Sequence, residues 1–353
     1  MRTHISRRGL LKSSGAVALG LSATRVLAAA PPATATTPEL IAAARKEGKI
    51  VYYTSVDLPL AEKIAKSFEA KYPGIAVRVE RTGAERVFTR IGQEYSSNIH
   101  AVDVVNSSDA AHFIVWKRQG WLAPFVPEDV AKFYPPEHRE AGGLYASFRI
   151  GLSIIAYNTN LVKPADAPKS FADLLDPKWK GKLVKAHPSY SGTIMTATYQ
   201  MQRDLGWGYF EKLAQQNVLQ VQSATDTPKK IALGERSVMV DGGEYNVLRL
   251  KEKGGPVEPV YATEGSPLVV GPNAIFRAAP NPNAARLFQN FCFSAECQQI
   301  IVDAGALRSA HAQTKEKPGR KPFKEIKTMK EDAAAVEKNS AEIKARYSKL
   351  FKV

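Results

Sequence analysis

The chain has 353 residues, 44% hydrophobic and 24% charged, with two cysteines and a formal net charge of +15. These proportions are ordinary for a globular protein. They exclude wholesale disorder and a disulfide-dense scaffold, and the lack of any run of 18 apolar residues excludes a polytopic membrane protein. At about 100–200 residues per domain the length suggests two domains. The charge is concentrated at the ends: Arg2, Arg7, Arg8, Lys12 and Arg25 stand without an acid before residue 36, and from His311 onward twelve lysines and arginines face six acids. The body between, residues 36–310, has an excess of only +4, weak ground for nucleic-acid binding, and no nucleic-acid partner is expected.

Residues 1–35 read as an export signal with its linker. Arg7 and Arg8 precede Leu10, Leu11 and Lys12, a short apolar run follows, and Arg25 lies beyond it. The pattern is similar to a twin-arginine signal, with cleavage after Ala28 or Ala35. An ordinary secretion signal with two arginines is the plainer reading. Residues 31–38, rich in proline and threonine, read as a linker. The expected location is the periplasm.

Thereafter β-branched runs alternate with helical periodicity. A strand over 49–54 precedes a helix over 58–72. A strand from Ile75 to Glu80 precedes a helix at 84–96, and a third strand near 102–106 precedes a helix at 109–119. Such alternation predicts a parallel sheet with helices on both faces. In open α/β sheets ligands lie beyond the carboxyl ends of the strands. Here those ends carry Ser55 and Asp57, then Ser107 and Ser108. A long apolar strand covers 150–158. The strand 181–186 runs through Ser189 and Tyr190 into Ser191, Gly192 and Thr193 at the start of a helix. Another strand, near 237–241, leads to Glu244, Tyr245 and Asn246. Strands at 257–261 and 268–276 follow, then helices at 283–293 and 295–304 and a last one near 332–350. Lys315 to Lys330 reads as a solvated, proline-punctuated connection, or a basic patch that touches lipid or a membrane partner.

Ser191, Gly192 and Thr193 offer two hydroxyls and free backbone N–H groups at a helix N-terminus, an arrangement suited to an anion. A plain N-cap explains the same residues equally well. Arg86, at the start of the second helix, is a candidate counter-charge or a solvated surface arginine. Cys292 and Cys297 flank a helix–helix junction capped by Ser294 and read as small buried hydrophobes; a bridge would need Cα atoms within about 7 Å. No phosphate loop, dinucleotide fingerprint, zinc-protease motif or serine-hydrolase elbow appears. An exported enzyme is therefore the remote alternative, and no cofactor is expected.

Six motifs in order carry a resemblance: Val51 to Ser55; Phe68 with Lys71 to Ile75 and Val77; Asp103 to Val105; Gly120 to Pro124; Asp176 to Lys182; and Glu342 to Lys344 with Arg346, Tyr347, Leu350 and Phe351. Together they resemble periplasmic solute-binding proteins of ABC importers, in the group that binds ferric iron, phosphonates and sugar phosphates. The resemblance implies an α/β fold of the two-lobed type II kind, each lobe a mostly parallel sheet flanked by helices, with crossing strands between them. It divides the chain into lobe 1 (46–150 with 265–312) and lobe 2 (151–264 with 313–353, including the C-terminal helix). It implies a monomer that delivers its solute to an inner-membrane permease. By matching position, a small anionic solute, phosphorylated or carboxylated, would sit on Ser191, Gly192 and Thr193. Ser55, Asp57, Ser107 and Ser108 would hold its other end, with Tyr245 beside it. Fe3+ as the transported ligand is the alternative, on Asp57, Glu244 and Tyr245. That set has one tyrosine where ferric binders have two adjacent.

Overall fold

The computed structural model describes residues 29–353; the export-signal reading of the first 28 residues lies outside them. The first sheet begins as expected. Helix α1 (Pro38–Glu47) is capped by Thr37 and ended by Gly48 in the left-handed region (φ 72°), a conformation that glycine adopts without strain. Strand β1 (Lys49–Thr54), α2 (Leu58–Lys71), β2 (Ala76–Arg81), α3 (Ala84–Ser96), β3 (Val104–Asn106) and α4 (Ala111–Arg118) follow. Strands β2 and β3 flank β1, both parallel to it. Short β4 (Leu122–Ala123) and α5 (Glu128–Phe133) lead to β5 (Ala146–Leu152).

The apolar run expected as one strand over 150–158 divides. After β5 the chain passes through Ser153 and Ile154 into β6 (Ile155–Asn158), which belongs to a second sheet. There follow β7 (Leu183–Ala186), α6 (Gly192–Leu205), α7 (Trp207–Ala214), β8 (Leu219–Val221), α8 (Thr227–Ala232), β9 (Val238–Met239), α9 (Glu244–Glu252) and β10 (Val257–Val260). This sheet has the order β10-β6-β9-β7-β8, parallel at β8–β7–β9 and antiparallel where β6 joins. The chain then returns as β11 (Ser266–Phe276), which pairs antiparallel with β3, β4 and β5. Helices α10 (Pro282–Phe293) and α11 (Ala295–Asp303), strand β12 (Thr328–Met329) and α12 (Ala333–Phe351) complete it. Each sheet is thus parallel where strand and helix alternate and antiparallel where the chain crosses.

Each lobe has its own core. In the first, Tyr52 and Phe68 both lie 5.1 Å from Phe288, ring centre to ring centre. In the second, Phe171, Trp179 and Phe210 pack with Tyr347 from α12. Burying each such side chain is worth about 1.5–3 kcal/mol, so the two lobes are separately anchored.

Two expectations about the termini change. Residues 31–38 are no free linker: Thr34 N–H donates to the Val126 carbonyl at 2.8 Å and its carbonyl accepts from Glu128 N–H at 3.2 Å. Residues 313–353, assigned to lobe 2 by resemblance, divide. Strand β12 pairs with β11 in the first sheet, while α12 packs on α6 and α7 and also on α4. The stretch 315–330 is likewise anchored, because Arg320 is buried against Glu244 at 2.6 Å. Cys292 and Cys297 are free and buried on either side of Ser294, as their spacing suggested.

Candidate functional site

The carboxyl ends of β1, β2 and β3 face the N-terminus of α6 across the junction of the two lobes. The lobes meet closely. A Cβ on Gly192 would stand 2.7 Å from the Asp109 Cβ and 2.9 Å from the Ala84 Cβ; one on Gly83 would stand 2.6 Å from the Tyr190 carbonyl oxygen. Glycine is needed at both places, because the Tyr190 backbone at Gly83 and the Asp109 and Ala84 Cβ atoms at Gly192 leave no room for a side chain.

Between them lies a small cavity of about 20 Å3. Ser55, Arg81, Ser108 and Arg149 line it from the first lobe, and Tyr190, Ser191, Thr193, Ser223, Thr225 and Tyr245 from the second. Its dominant group is Arg149 on β5, only 4% exposed. The guanidinium Nε donates to Asn106 Oδ1 at 3.2 Å and Nη2 donates to Ser55 Oγ at 3.1 Å. Asn106 is held in turn, because its amide donates to the Pro272 carbonyl at 2.9 Å and thereby aims Oδ1 at the arginine. Gly271 makes room, since a Cβ there would stand 2.9 Å from Arg149 Cγ and Nε. Arg149 forms no ion pair among the described residues. Burial, the largest influence on it, pulls its pKa below the ordinary arginine value. A buried cation with only neutral partners is costly and is the reverse of normal practice.

The other groups are donors as well. Ser55 Oγ accepts both from Arg149 and from Ser108 N–H (2.9 Å), which leaves its hydroxyl proton to donate elsewhere. Ser191 caps α6 with a long bond of 3.5 Å from Ile194 N–H. The first N–H groups of α6 have no intrahelical acceptor, and the helix adds about half a positive charge at that end. Arg81, at the end of β2, donates to the Val56 carbonyl at 3.2 Å and forms no ion pair among the described residues. The arrangement is a pocket of positive potential bounded by both lobes.

Of the residues expected in the site, Ser55, Ser108, Ser191, Thr193 and Tyr245 line this cavity, and Gly192 forms the contact beside it. Ser107 lies behind, bonded through Oγ to His112 Nδ1 at 3.0 Å. Asp57 faces an outer chamber and pairs with Arg249 of the other lobe. Arg86 stands at the rim, donating to Gln222 at 2.5 Å and lying over the Tyr190 ring. Glu244 lines neither space. Arg308 (2.9 Å) and Arg320 (2.6 Å) hold its two oxygens and, outweighing burial, keep its pKa low. Burial first, then the nearby Asp57, raises the Tyr245 phenol pKa. The two carboxylates of the ferric set are therefore each neutralised by arginine, and the tyrosine is kept as a phenol.

Arg149 and Arg81 are the lining residues of this candidate site that reasoning from the sequence omitted. Each had a signal. Arg149 stands one residue before the apolar run expected as a strand from Ile150, and Arg81 stands one residue past the expected end of its strand, where ligands are usually met.

Beside the cavity Glu85, Asp109 and His112 form a buried cluster with three potential metal-ligand atoms within 4.8 Å. It is already closed by ion pairing. His112 Nε2 meets Glu85 at 3.0 Å, and Lys344 of α12 holds the other Glu85 oxygen at 2.6 Å. Burial disfavours the imidazolium, but Asp109 and Glu85 outweigh it and raise the His112 pKa; burial raises Asp109 to about 6. A histidine with a raised folded pKa contributes stability that is complete below about pH 6.5 and drains away as pH rises through the folded value. Asp109 acts in the same direction at lower pH, and Glu85, whose pKa is lowered, gains its contribution well below pH 6. Urea unfolding between pH 6 and 9 should therefore show stability falling as pH rises, and His112→Gln should flatten that slope. Equal slopes in the two proteins would remove His112 from the linkage.

A cleft between two α/β lobes, closed over hydrogen-bond donors and guanidinium groups, defines a solute-binding protein. The chain belongs to the bacterial extracellular solute-binding protein family, whose profile matches residues 102–334. The periplasmic binding protein AfuA from Actinobacillus pleuropneumoniae, solved with exogenous fructose-6-phosphate bound, is 25% identical with a TM-score of 0.79, over 87% of this chain and 99% of that one. Iron-bound HitA from Pseudomonas aeruginosa is 23% identical with a TM-score of 0.74, over 85% and 99%. The probable ABC transporter periplasmic-binding protein y4fP of Sinorhizobium fredii is 22% identical over 237 residues, 65% of each chain. Proteins of this family are substrate-binding components of ABC importers that work with an inner-membrane permease; they are transport components, not enzymes. The fold is the expected type II one. Among the described residues no helix is long and apolar enough to cross a membrane.

Proposed function

We propose that the protein captures a small anionic solute, phosphorylated or carboxylated, in the periplasm and hands it to its permease. The observation that carries this reading is Arg149: a buried guanidinium without a carboxylate, lining with the α6 N-terminus one small cavity between the lobes. The likeness to AfuA, solved with a sugar phosphate, supports the phosphorylated choice. Fe3+ is disfavoured, because a trivalent cation would sit among two guanidiniums and a helix N-terminus, with its carboxylate ligands already paired. An anion that touches Arg149 and Ser55 on one side and Ser191 and Thr193 on the other stabilises only the closed arrangement, which is the form presented to the permease. Residues 1–28 fit a twin-arginine leader. Cleavage after Ala28 keeps the Thr34 bonds, whereas cleavage after Ala35 would discard them. The protein would act as a monomer.

The test is isothermal titration of fructose 6-phosphate and inorganic phosphate into wild type and the Ser191→Ala/Thr193→Ala double variant. Hydrogen bonds to a charged group are worth about 1.5–3 kcal/mol each, so losing both hydroxyls should lower the affinity for any anion that wild type binds by about 150-fold or more. Equal affinity in the two proteins would sink the site assignment.

A further inference from the structure

The inner cavity, at about 20 Å3, has room for one small head group and no more. A metabolite whose head group enters it must keep the rest of its body elsewhere. Arg81 and Thr225 are walls of this cavity and also of a second chamber of about 320 Å3, which lies farther out between the lobes. That size is within the range of small-molecule sites.

The outer chamber is cationic. Arg81 comes from the first lobe, and Lys229, Arg249 and Lys253 from the second. Its one acid, Asp57, is neutralised by Arg249. The other three cations are uncommitted to varying degrees. Arg81 contacts only a carbonyl, Lys229 is held loosely by Asp226 at 3.4 Å, and Lys253 forms no ion pair among the described residues. A neutral sugar body would take hydrogen bonds from such a wall but leave its charge unanswered. A second anionic group would meet charge from both lobes.

Building on the anion reading above, we infer that the solute carries two anionic groups: a phosphate in the inner cavity and a second phosphate or carboxylate in the outer chamber, against Lys229, Lys253 and Arg81. The second group selects among phosphorylated metabolites and adds a further tie across the closed cleft.

Matched pairs test this by isothermal titration at one fixed, low ionic strength: fructose 6-phosphate against fructose 1,6-bisphosphate, and glycerol 3-phosphate against 3-phosphoglycerate, with inorganic phosphate alongside. The member with two anionic groups should bind at least about tenfold tighter in a pair that binds. In Lys229→Met/Lys253→Met that ratio should fall toward one, and in wild type it should shrink as salt is raised. A ratio near one in wild type, a ratio unchanged in the double variant, or binding of phosphate with no member of either pair overturns the inference while leaving the anion site standing. No binding of any anion, phosphate included, overturns both readings.

Discussion

Replacing Arg149 by methionine should all but abolish anion binding while making the ligand-free protein more stable. The two effects have one cause. In the folded protein this guanidinium is 4% exposed and its only protein partners are the neutral Asn106 and Ser55. Arginine does not escape by losing its proton, so the buried charge stands as a cost to folding that, on the proposed function, an anion in the cavity would offset. Removing one partner of a buried, hydrogen-bonded charge pair costs about 2–5 kcal/mol of binding, or roughly 30- to 5,000-fold in affinity. Methionine is apolar and flexible enough to fill the space beside Gly271, so ligand-free stability should rise by on the order of 1 kcal/mol. Titration with fructose 6-phosphate and urea unfolding of the ligand-free protein read the two halves. A variant that loses both binding and stability would identify Arg149 as a strut of the β5–β11 crossing and not as the anion's partner.

The same residue shows where the sequence was legible. Strand β1 and helix α3 lie where periodicity put them, because β1 is a short apolar run buried on both faces of its sheet and α3 buries one face of a regular helical pattern. The helix start at Ser191 to Thr193 was legible for a local reason, since a cap and the free N–H groups behind it depend only on neighbours in the chain. Arg149 is different. Its role arises from a pairing of β5 with β11, more than a hundred residues away, in which Gly271 and Asn106 make its pocket. Nothing adjacent to it in the chain announces this, except that a charged residue borders an apolar run. Asp57 and Glu244 failed in the complementary way. Each is the right residue type near the right strand or helix end, but Arg249, Arg308 and Arg320 arrive from distant segments and occupy their oxygens. Polar residues near a cleft were readable; which of them remain unpaired was not.

Lys185→Met should be the most damaging single substitution for stability. Lys185 on β7 and Asp241, just beyond β9, are both wholly buried, with Nζ and Oδ2 2.5 Å apart. Burial, the largest influence on each, lowers the lysine pKa and raises that of the aspartate, and their mutual attraction opposes this. The lysine donates otherwise only to Thr198, at 3.5 Å, and lies over the Tyr347 ring of α12. Asp241 has no second partner, because its Oδ1 is buried without a hydrogen bond. Methionine at 185 would thus strand a carboxylate in the second core, at a cost of about 3–5 kcal/mol. The companion Asp241→Leu should fail similarly by stranding the ammonium. The double variant Lys185→Met/Asp241→Leu removes both charges and should recover most of the loss, since a buried pair contributes little beyond a well-packed apolar one. Urea unfolding across the four proteins measures the coupling, expected at about 3 kcal/mol. Losses that simply add would mean that each side chain acts through packing alone. A double variant that unfolds like wild type but binds fructose 6-phosphate poorly would show that the pair serves binding instead. It would then hold the strand end at Ala186, from which the chain runs to Ser191, in register with the anion's place at the head of α6.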